Sequence, residues 1–193
     1  MICVIPARYG SKRIPQKNIK PFHGKPMIAY AIQTALDSKL FSRVIVSTND
    51  DETGRIAMEY GAEYHRRPSE YAGDEEHIGT VDVVWDALRN MVLPDIVTCA
   101  LYPCTPLLRP VDLIAGFHHF IRGAASHQYV ALSDTDDTDA GQFYWGLTDS
   151  WLNGYALVHE YCQRLVCDIE LVDINTPEDW SLAEKLYGER YGY

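Results

Sequence analysis

The chain has 193 residues, of which 47% are hydrophobic and 23% charged, and its formal net charge is −10. That length supports one domain with a sizeable core, while the acidic balance argues against general affinity for nucleic acid or an anionic membrane. No apolar run reaches the length of a bilayer span, no basic and apolar leader opens the chain, and the five dispersed cysteines form no CxxC pair, so a reducing, cytoplasmic setting is expected.

Met1-Ile2-Cys3-Val4-Ile5 reads as a short buried strand that breaks at Pro6. A loop follows, running from Ala7 through Asn18. No Asp or Glu occurs before Asp37, yet Arg8, Lys12, Arg13, Lys17, Lys20 and Lys25 do, which is six of the chain's 17 basic residues. Like charges this close repel unless an anion or distant carboxylates neutralise them. A loop between a strand and a helix is also where backbone N–H groups bind phosphate. The loop therefore reads as a polyphosphate site. Arg8 and Lys17 would neutralise charge, Gly10 would let the backbone approach, and Ser11 would donate a hydrogen bond.

Pro26 suits the first turn of a helix that runs to Leu36 with Ile28, Ile32, Ala35 and Leu36 on one face. Arg43–Thr48 reads as a buried strand. Asn49-Asp50-Asp51 offers N-cap chemistry for a helix near Glu52–Tyr60 that ends at Gly61, and Ala62–His65 is a short strand. A polar loop from Arg66 to Glu76 precedes a helix over Thr80–Met91, with Val81, Val84, Trp85 and Leu88 on its apolar side. Asp95–Leu101 is a further buried strand. It ends in the proline turn Tyr102-Pro103-Cys104-Thr105-Pro106-Leu107. A helix over Pro110–Phe120 and a strand over Gln128–Leu132 follow.

This alternation of strands and helices predicts an α/β, Rossmann-like, doubly wound and mostly parallel sheet, in a single domain over residues 1–193. Ligands of such sheets bind beyond the carboxyl ends of the strands. The basic loop, Asn49-Asp50, Arg67 and the Tyr102–Leu107 turn should converge there.

The remainder is less regular. The acidic run from Asp134 to Asp139 fails the EF-hand pattern, with Asp139 in place of the Gly and Trp145 in place of the Glu. Gly141–Gly146 is strand-like and aromatic, and a short helix is expected around Asp149–Asn153. Val166–Ile174 reads as a strand, and Asn175-Thr176-Pro177 caps a last helix through Tyr187. Asp173, at the end of that expected strand, points toward the same sheet edge as the basic loop. It reads as a metal ligand, beside the plainer reading, compatible with it, that Asn175 or Thr176 simply caps the next helix. The basic loop is neither a Walker A motif nor a dinucleotide fingerprint.

Taken together, Ile5-Pro6-Ala7-Arg8-Tyr9-Gly10-Ser11-Lys12-Arg13-Ile14-Pro15-Gln16-Lys17-Asn18 resembles the opening motif of the acylneuraminate cytidylyltransferases, the CMP-sugar-acid synthetases. Gly24–Tyr30, Val44–Thr48 and Arg67-Pro68-Ser69-Glu70 resemble later segments, and Tyr102–Leu107 takes the place of that family's QPTSPL turn. Asp139–Gly146 and Asp173–Trp180 are most similar to the pseudaminic acid branch.

The resemblance implies a cytidylyltransferase that joins CMP from CTP to a nonulosonic acid with Mg²⁺ and releases pyrophosphate. Pseudaminic acid is the first choice of acceptor. Legionaminic acid, N-acetylneuraminic acid and Kdo are the alternatives, and so is a truncated homologue that binds nucleotide without catalysis. By motif position, Arg8, Gly10, Ser11, Lys12, Lys17, Asn18 and Arg67 would bind the nucleotide. Tyr102, Thr105 and Gln142 would face the sugar. Asp173 and Asn175 would take the metal, and Arg8, Lys17 and Asp173 would be catalytic.

Two departures stand out. The metal motif usually reads Asp-Ile-Asp, whereas this chain has Asp173-Ile174-Asn175. The family also carries an extra stretch after the strand matching Gln128–Leu132, which builds a homodimer; here only Ser133–Thr138 stands in its place. Either this is a pared-down relative or the recorded chain lacks those residues.

Overall fold

Strand β1 (Ile2–Pro6) is the axis of the molecule. A computed structural model describes the chain at residues 1–71, 78–91, 97–123, 129–133, 139–155, 157, 162–166 and 168–192. The elements after β1 are a small hairpin, β2 (Pro21–Phe22) and β3 (Lys25–Pro26), then α1 (Met27–Asp37), β4 (Arg43–Thr48), α2 (Asp51–Glu59) and β5 (Glu63–Arg66). Next come α3 (Thr80–Leu88), β6 (Val97–Leu101), α4 (Pro110–Gly123), β7 (Tyr129–Ser133), β8 (Asp139–Leu147), α5 (Thr148–Leu152), β9 (Cys162–Val166) and α6 (Pro177–Tyr191).

Seven strands form one sheet in the order β5-β4-β1-β6-β8-β7-β9. β1 lies parallel to both β4 and β6, and β4 to β5; β8 runs antiparallel to β6 and β7, and β7 is parallel to β9. The mostly parallel, doubly wound α/β sheet expected from the strand–helix alternation is thus present, with β8 as the one reversed strand among those described. The chain winds outward from β1 through β4 to β5, then returns to place β6 on β1's other side. The switch point therefore lies between the carboxyl ends of β1 and β6, where ligands of open α/β sheets bind.

Alternation along the strands divides the core. Cys3 and Ile5 face a layer with Ile28, Ile32, Ala57 and Leu113, while Ile2 and Val4 face Val84, Leu88 and Trp151. Helices thus cover both faces, as a sheet of buried strands requires. A third cluster lies under the basic loop. In it Ile14, Phe22 and Met27 meet Cys104, Leu107, Ile174 and Trp180. That cluster anchors the loop to α6 and to the segment before it.

Several sequence expectations change. Pro26 is the N-cap of α1 and closes the β2–β3 hairpin, rather than lying in the first helical turn. In α3 the buried apolar residues are Val83, Val84, Ala87 and Leu88, whereas Val81 and Trp85 are half-exposed. The strand expected over Val166–Ile174 is not found among the described residues: β9 ends at Val166, and residues 168–174 are irregular. The physical reason is that side chains occupy the carbonyls a ladder would need. Arg190 donates to the Glu170 carbonyl, Gln142 to that of Val172 and Lys17 to that of Ile174. β7 and β8 form a hairpin paired as far as Ser133 with Asp139, so the shortened connection joins two neighbouring strands directly. The expected acidic run over 134–138, the loop over 72–76 and Cys167 lie outside the described residues. So do 95–96 and Gln128, at the starts of two expected strands.

Candidate active site

A cleft of about 730 Å³ opens at the switch point. Arg8, Ser11, Lys12, Lys17 and Asn18 line one side of it, Arg67 and Thr80 another, and Tyr102, Asp173 and Asn175 the rest. Most of the sequence-predicted site residues are thus brought together. The exceptions are Gly10, Thr105 and Gln142.

The basic loop is held by its own polar groups. The Asn18 amide donates to the Arg8 carbonyl at 2.9 Å, the Asn18 carbonyl accepts from the Ile28 N–H at 2.8 Å, and the Cys104 thiol donates to Asn18 Oδ1 at 3.4 Å. Ser11 Oγ accepts from the Ile14 N–H, and the Tyr9 N–H donates to Asn49 Oδ1 at the end of β4. Gly10 has φ +96°, a left-handed conformation costly for side-chain-bearing residues, so it serves the turn; it is exposed and does not line the cleft. Asn18 is buried and works as the loop's internal brace.

Lys17 Nζ donates to the Ile174 carbonyl at 2.5 Å, which ties the loop to the strip carrying Asp173. Lys17 therefore sits beside Asp173, close enough to act on its carboxylate. The Asp173 carboxylate is pushed above the usual Asp range, chiefly by burial and also by Asp139 and Asp179; the Asn175 hydrogen bond and Lys17 oppose the shift. Although the residue is exposed overall, its carboxylate lies against the backbone of Gly141. Asn175 Nδ2 donates to Asp173 Oδ2 at 2.7 Å and braces it from the side.

Arg67 is 5% exposed, yet it lines the cleft. Its guanidinium donates to the Ser47 carbonyl at 2.7 Å and to Ser47 Oγ at 3.3 Å. Burial, the largest cause, pulls its pKa down to about 10, with Arg8 adding to that and Asp86 opposing it. Tyr102 shares a hydrogen bond with Thr80 at the start of α3, with 3.0 Å between the hydroxyl oxygens.

Thr105 and Gln142 are both 1% exposed and stand behind the wall. The Thr105 hydroxyl donates to the Tyr102 carbonyl, and the Gln142 amide to the carbonyls of Ala140 and Val172. The resemblance puts these side chains against the sugar, whereas the structure uses them to shape the wall that Tyr102 and Asp173 present. Buried amides and hydroxyls need such partners, and backbone carbonyls supply them here.

Thr80 and Gly141 also line the cleft, and the sequence reading assigned neither. A glycine inside a strand-like run signals a bulge or a close backbone approach, and Gly141 carried that signal. Thr80 carried none beyond its place at a helix start.

Among the described residues no group of three or more His, Cys, Asp and Glu side chains could hold a metal ion. Magnesium is commonly held by one or two carboxylates together with substrate phosphates and water. A single oxygen-donor carboxylate in one cleft with a cationic loop fits that mode.

The cytidylyltransferase family profile matches residues 2–115. The chain is 30% identical to a pseudaminic acid cytidylyltransferase of Campylobacter jejuni, an alignment covering 96% of this chain and 95% of that one. It is 28% identical to N-acylneuraminate cytidylyltransferase B of Danio rerio, over 98% of this chain and 52% of the relative. The Campylobacter alignment extends over 224 positions, so that relative carries residues for which this 193-residue chain has no counterpart. Among solved structures, a CMP:2-keto-3-deoxy-manno-octonic acid synthetase complexed with CTP matches with a TM-score of 0.76 at 16% identity, covering 98% of each chain. A cytidylyltransferase of Leptospira borgpetersenii matches at 0.71 and 17%, over 95% of this chain and 84% of that one. These neighbours share the sheet and its switch point, and the sequence matches reach from the basic loop to α6; the chain belongs to the cytidylyltransferase family and is a nucleotidyltransferase.

Proposed function

We propose that the chain, as one nucleotidyltransferase domain over 1–193, transfers the cytidylyl group of CTP to a nonulosonic acid, pseudaminic acid first, and releases pyrophosphate. The observation that carries this reading is the cleft itself, where Arg8, Lys12 and Lys17 line the same cavity as Asp173 at the switch point. The full-length likeness to a pseudaminic acid cytidylyltransferase supports the choice of acceptor.

The acceptor's anomeric hydroxyl oxygen attacks the α-phosphorus in line. The bond from that phosphorus to the oxygen bridging to the β-phosphorus breaks, pyrophosphate takes the electron pair, and the hydroxyl proton passes to solvent. Such a reaction asks for positioning and for neutralisation of charge. Arg8, Ser11, Lys12 and Lys17 bind the triphosphate in this reading, with Gly10 shaping the loop, while Asn18 and Arg67 set its nucleoside end. Tyr102 meets the acceptor, with Thr105 and Gln142 supporting it from behind. Asp173, with Asn175 beside it, would hold Mg²⁺, which would offset negative charge on the nucleotide's phosphates. Homodimerisation stands as the expectation from the resemblance, and light scattering reads it directly. Among the described residues no helix is long and apolar enough to cross a membrane.

The deciding experiment couples pyrophosphate release to a phosphate readout. It uses CTP, Mg²⁺ and a panel of pseudaminic, legionaminic, N-acetylneuraminic and Kdo acceptors. Turnover with CTP and fastest with pseudaminic acid is expected. CTP binding without turnover on any sugar acid would leave a nucleotide-binding homologue. Turnover of UTP or GTP with a sugar phosphate would move the protein to another branch of nucleotidyltransferases.

A further inference from the structure

β8 is not a regular strand near its start. Between the paired positions Ala131–Tyr144 and Ser133–Asp139, two steps along β7 face five along β8. The extra length bulges where β8 borders the cleft, and bulges re-aim side chains at such places. Gly141 sits in this bulge with φ +59°, and its N–H donates to Asp139 Oδ1 at 2.9 Å.

A Cβ at Gly141 would lie 2.7 Å from Asp173 Cγ, 2.9 Å from Oδ2 and 3.1 Å from Oδ1. The first two distances are too short for any Cβ and the third is tight, so the Asp173 carboxylate would have to shift. That shift would disturb the hydrogen bond by which Asn175 Nδ2 holds Oδ2 at 2.7 Å from the side. Next along β8, the Gln142 amide donates to the Val172 carbonyl at 3.3 Å and fixes the strip on which Asp173 sits. The bulge and the 172–175 strip are thus locked together, with the missing side chain of Gly141 as the space that the carboxylate fills.

We infer that Gly141 is a positioning residue for Asp173: its bare backbone is the floor on which the carboxylate is set to meet a divalent cation carried by the nucleotide. The inference rests on the cytidylyltransferase reading of the cleft and adds a residue to it. Substitution acts first on Asp173, since its carboxylate is what a Cβ at Gly141 would meet.

The test compares wild type, Gly141→Ala, Asp173→Ala and the double variant by calorimetry. Each is titrated with CTP in the absence of metal and with Mn²⁺·CTP. Wild type should prefer Mn²⁺·CTP. In Gly141→Ala that preference should fall at least tenfold, to the level of Asp173→Ala, while affinity for metal-free CTP stays within about twofold. The double variant should lose no more than either single one. A preference kept in Gly141→Ala, additive losses in the double variant, or no preference in wild type would each overturn the inference. Should Gly141→Ala fail to fold, recovery of folded protein on adding Asp173→Ala supports the contact, because the overlapping carboxylate is then gone. Failure of both would show that Gly141 serves only its backbone conformation. Absence of cytidylyl transfer in wild type would instead count against the functional reading, leaving the metal-preference arms independent of it.

Discussion

Arg8 shows how a residue can matter for chemistry and little for folding. Its carbonyl holds the loop by accepting from Asn18, and that bond survives truncation of the side chain. Arg8→Ala is therefore expected to leave stability within about 0.5 kcal/mol, as for other exposed substitutions. If its guanidinium neutralises charge in the transition state, the loss is about 3 kcal/mol, by analogy with a single oxyanion donor, or roughly 100-fold in kcat/KM. Full activity in that variant would remove Arg8 from the mechanism. Asp173 shows the opposite coupling. Its carboxyl is pushed up, mainly by burial, so the folded state holds the proton more tightly than the unfolded chain does. The ionised form therefore costs stability above the folded pKa, and the cost vanishes below the unfolded value of about 3.9. Asp173→Asn should raise the melting temperature modestly at neutral pH, give no gain in acid, and abolish turnover. Equal melting temperatures at both pH values would contradict this. Asp179, close by, has the reverse sign. Backbone N–H groups of Asn175 and Thr176 draw its pKa down, so its contribution is present at neutral pH and is lost as pH falls through the folded pKa.

At the scale of elements, legibility followed locality. β1, β4 and β6 are apolar runs between turn signals, and each was legible because a buried parallel strand needs little beyond its own side chains. The α6 start was legible for the same reason. Thr176 accepts from the Asp179 N–H, Asp179 accepts from the Thr176 N–H, and Pro177 follows, all within four residues. Thr176→Ala is accordingly expected to cost about 1 kcal/mol, or roughly 2–4 °C in melting temperature. No change would mean that Asp179 holds the cap alone. What escaped the sequence depends on distant partners. Val166–Ile174 has strand-like residues, but its carbonyls are taken by Lys17, Gln142 and Arg190, side chains remote in the chain. β9 was missed because it is a largely exposed edge strand, whose extended form follows from pairing with β7 and not from an apolar pattern of its own. At the site, charge clustering marked the loop and the resemblance supplied Tyr102, Thr105 and Gln142. That Gln142 turns into the wall, and that Gly141 makes room for Asp173, goes with the bulge in β8, whereas Thr105 is turned in by its bond to the Tyr102 carbonyl.

For the whole molecule, charge is distributed against its own average. The chain carries −10, yet its first 36 residues hold six cations and no carboxylate, and four of those cations, Arg8, Lys12, Arg13 and Lys17, line the cleft. Net charge and local charge therefore pull in different directions when salt is added. The dispersed negative charge repels itself and opposes compactness, so screening it favours the folded state. The cations in the cleft act on a bound triphosphate over a few ångströms, and screening weakens that attraction. Raising NaCl from about 0.1 M to about 1 M shortens the Debye length from about 10 Å to about 3 Å, which reaches both scales. The melting temperature of the free protein should therefore rise while its affinity for metal-free CTP falls. Calorimetry of both quantities across the same salt series separates the two effects. An affinity that holds or rises with salt would mean that the loop does not carry the triphosphate, since the distant acidic surface would then dominate the encounter.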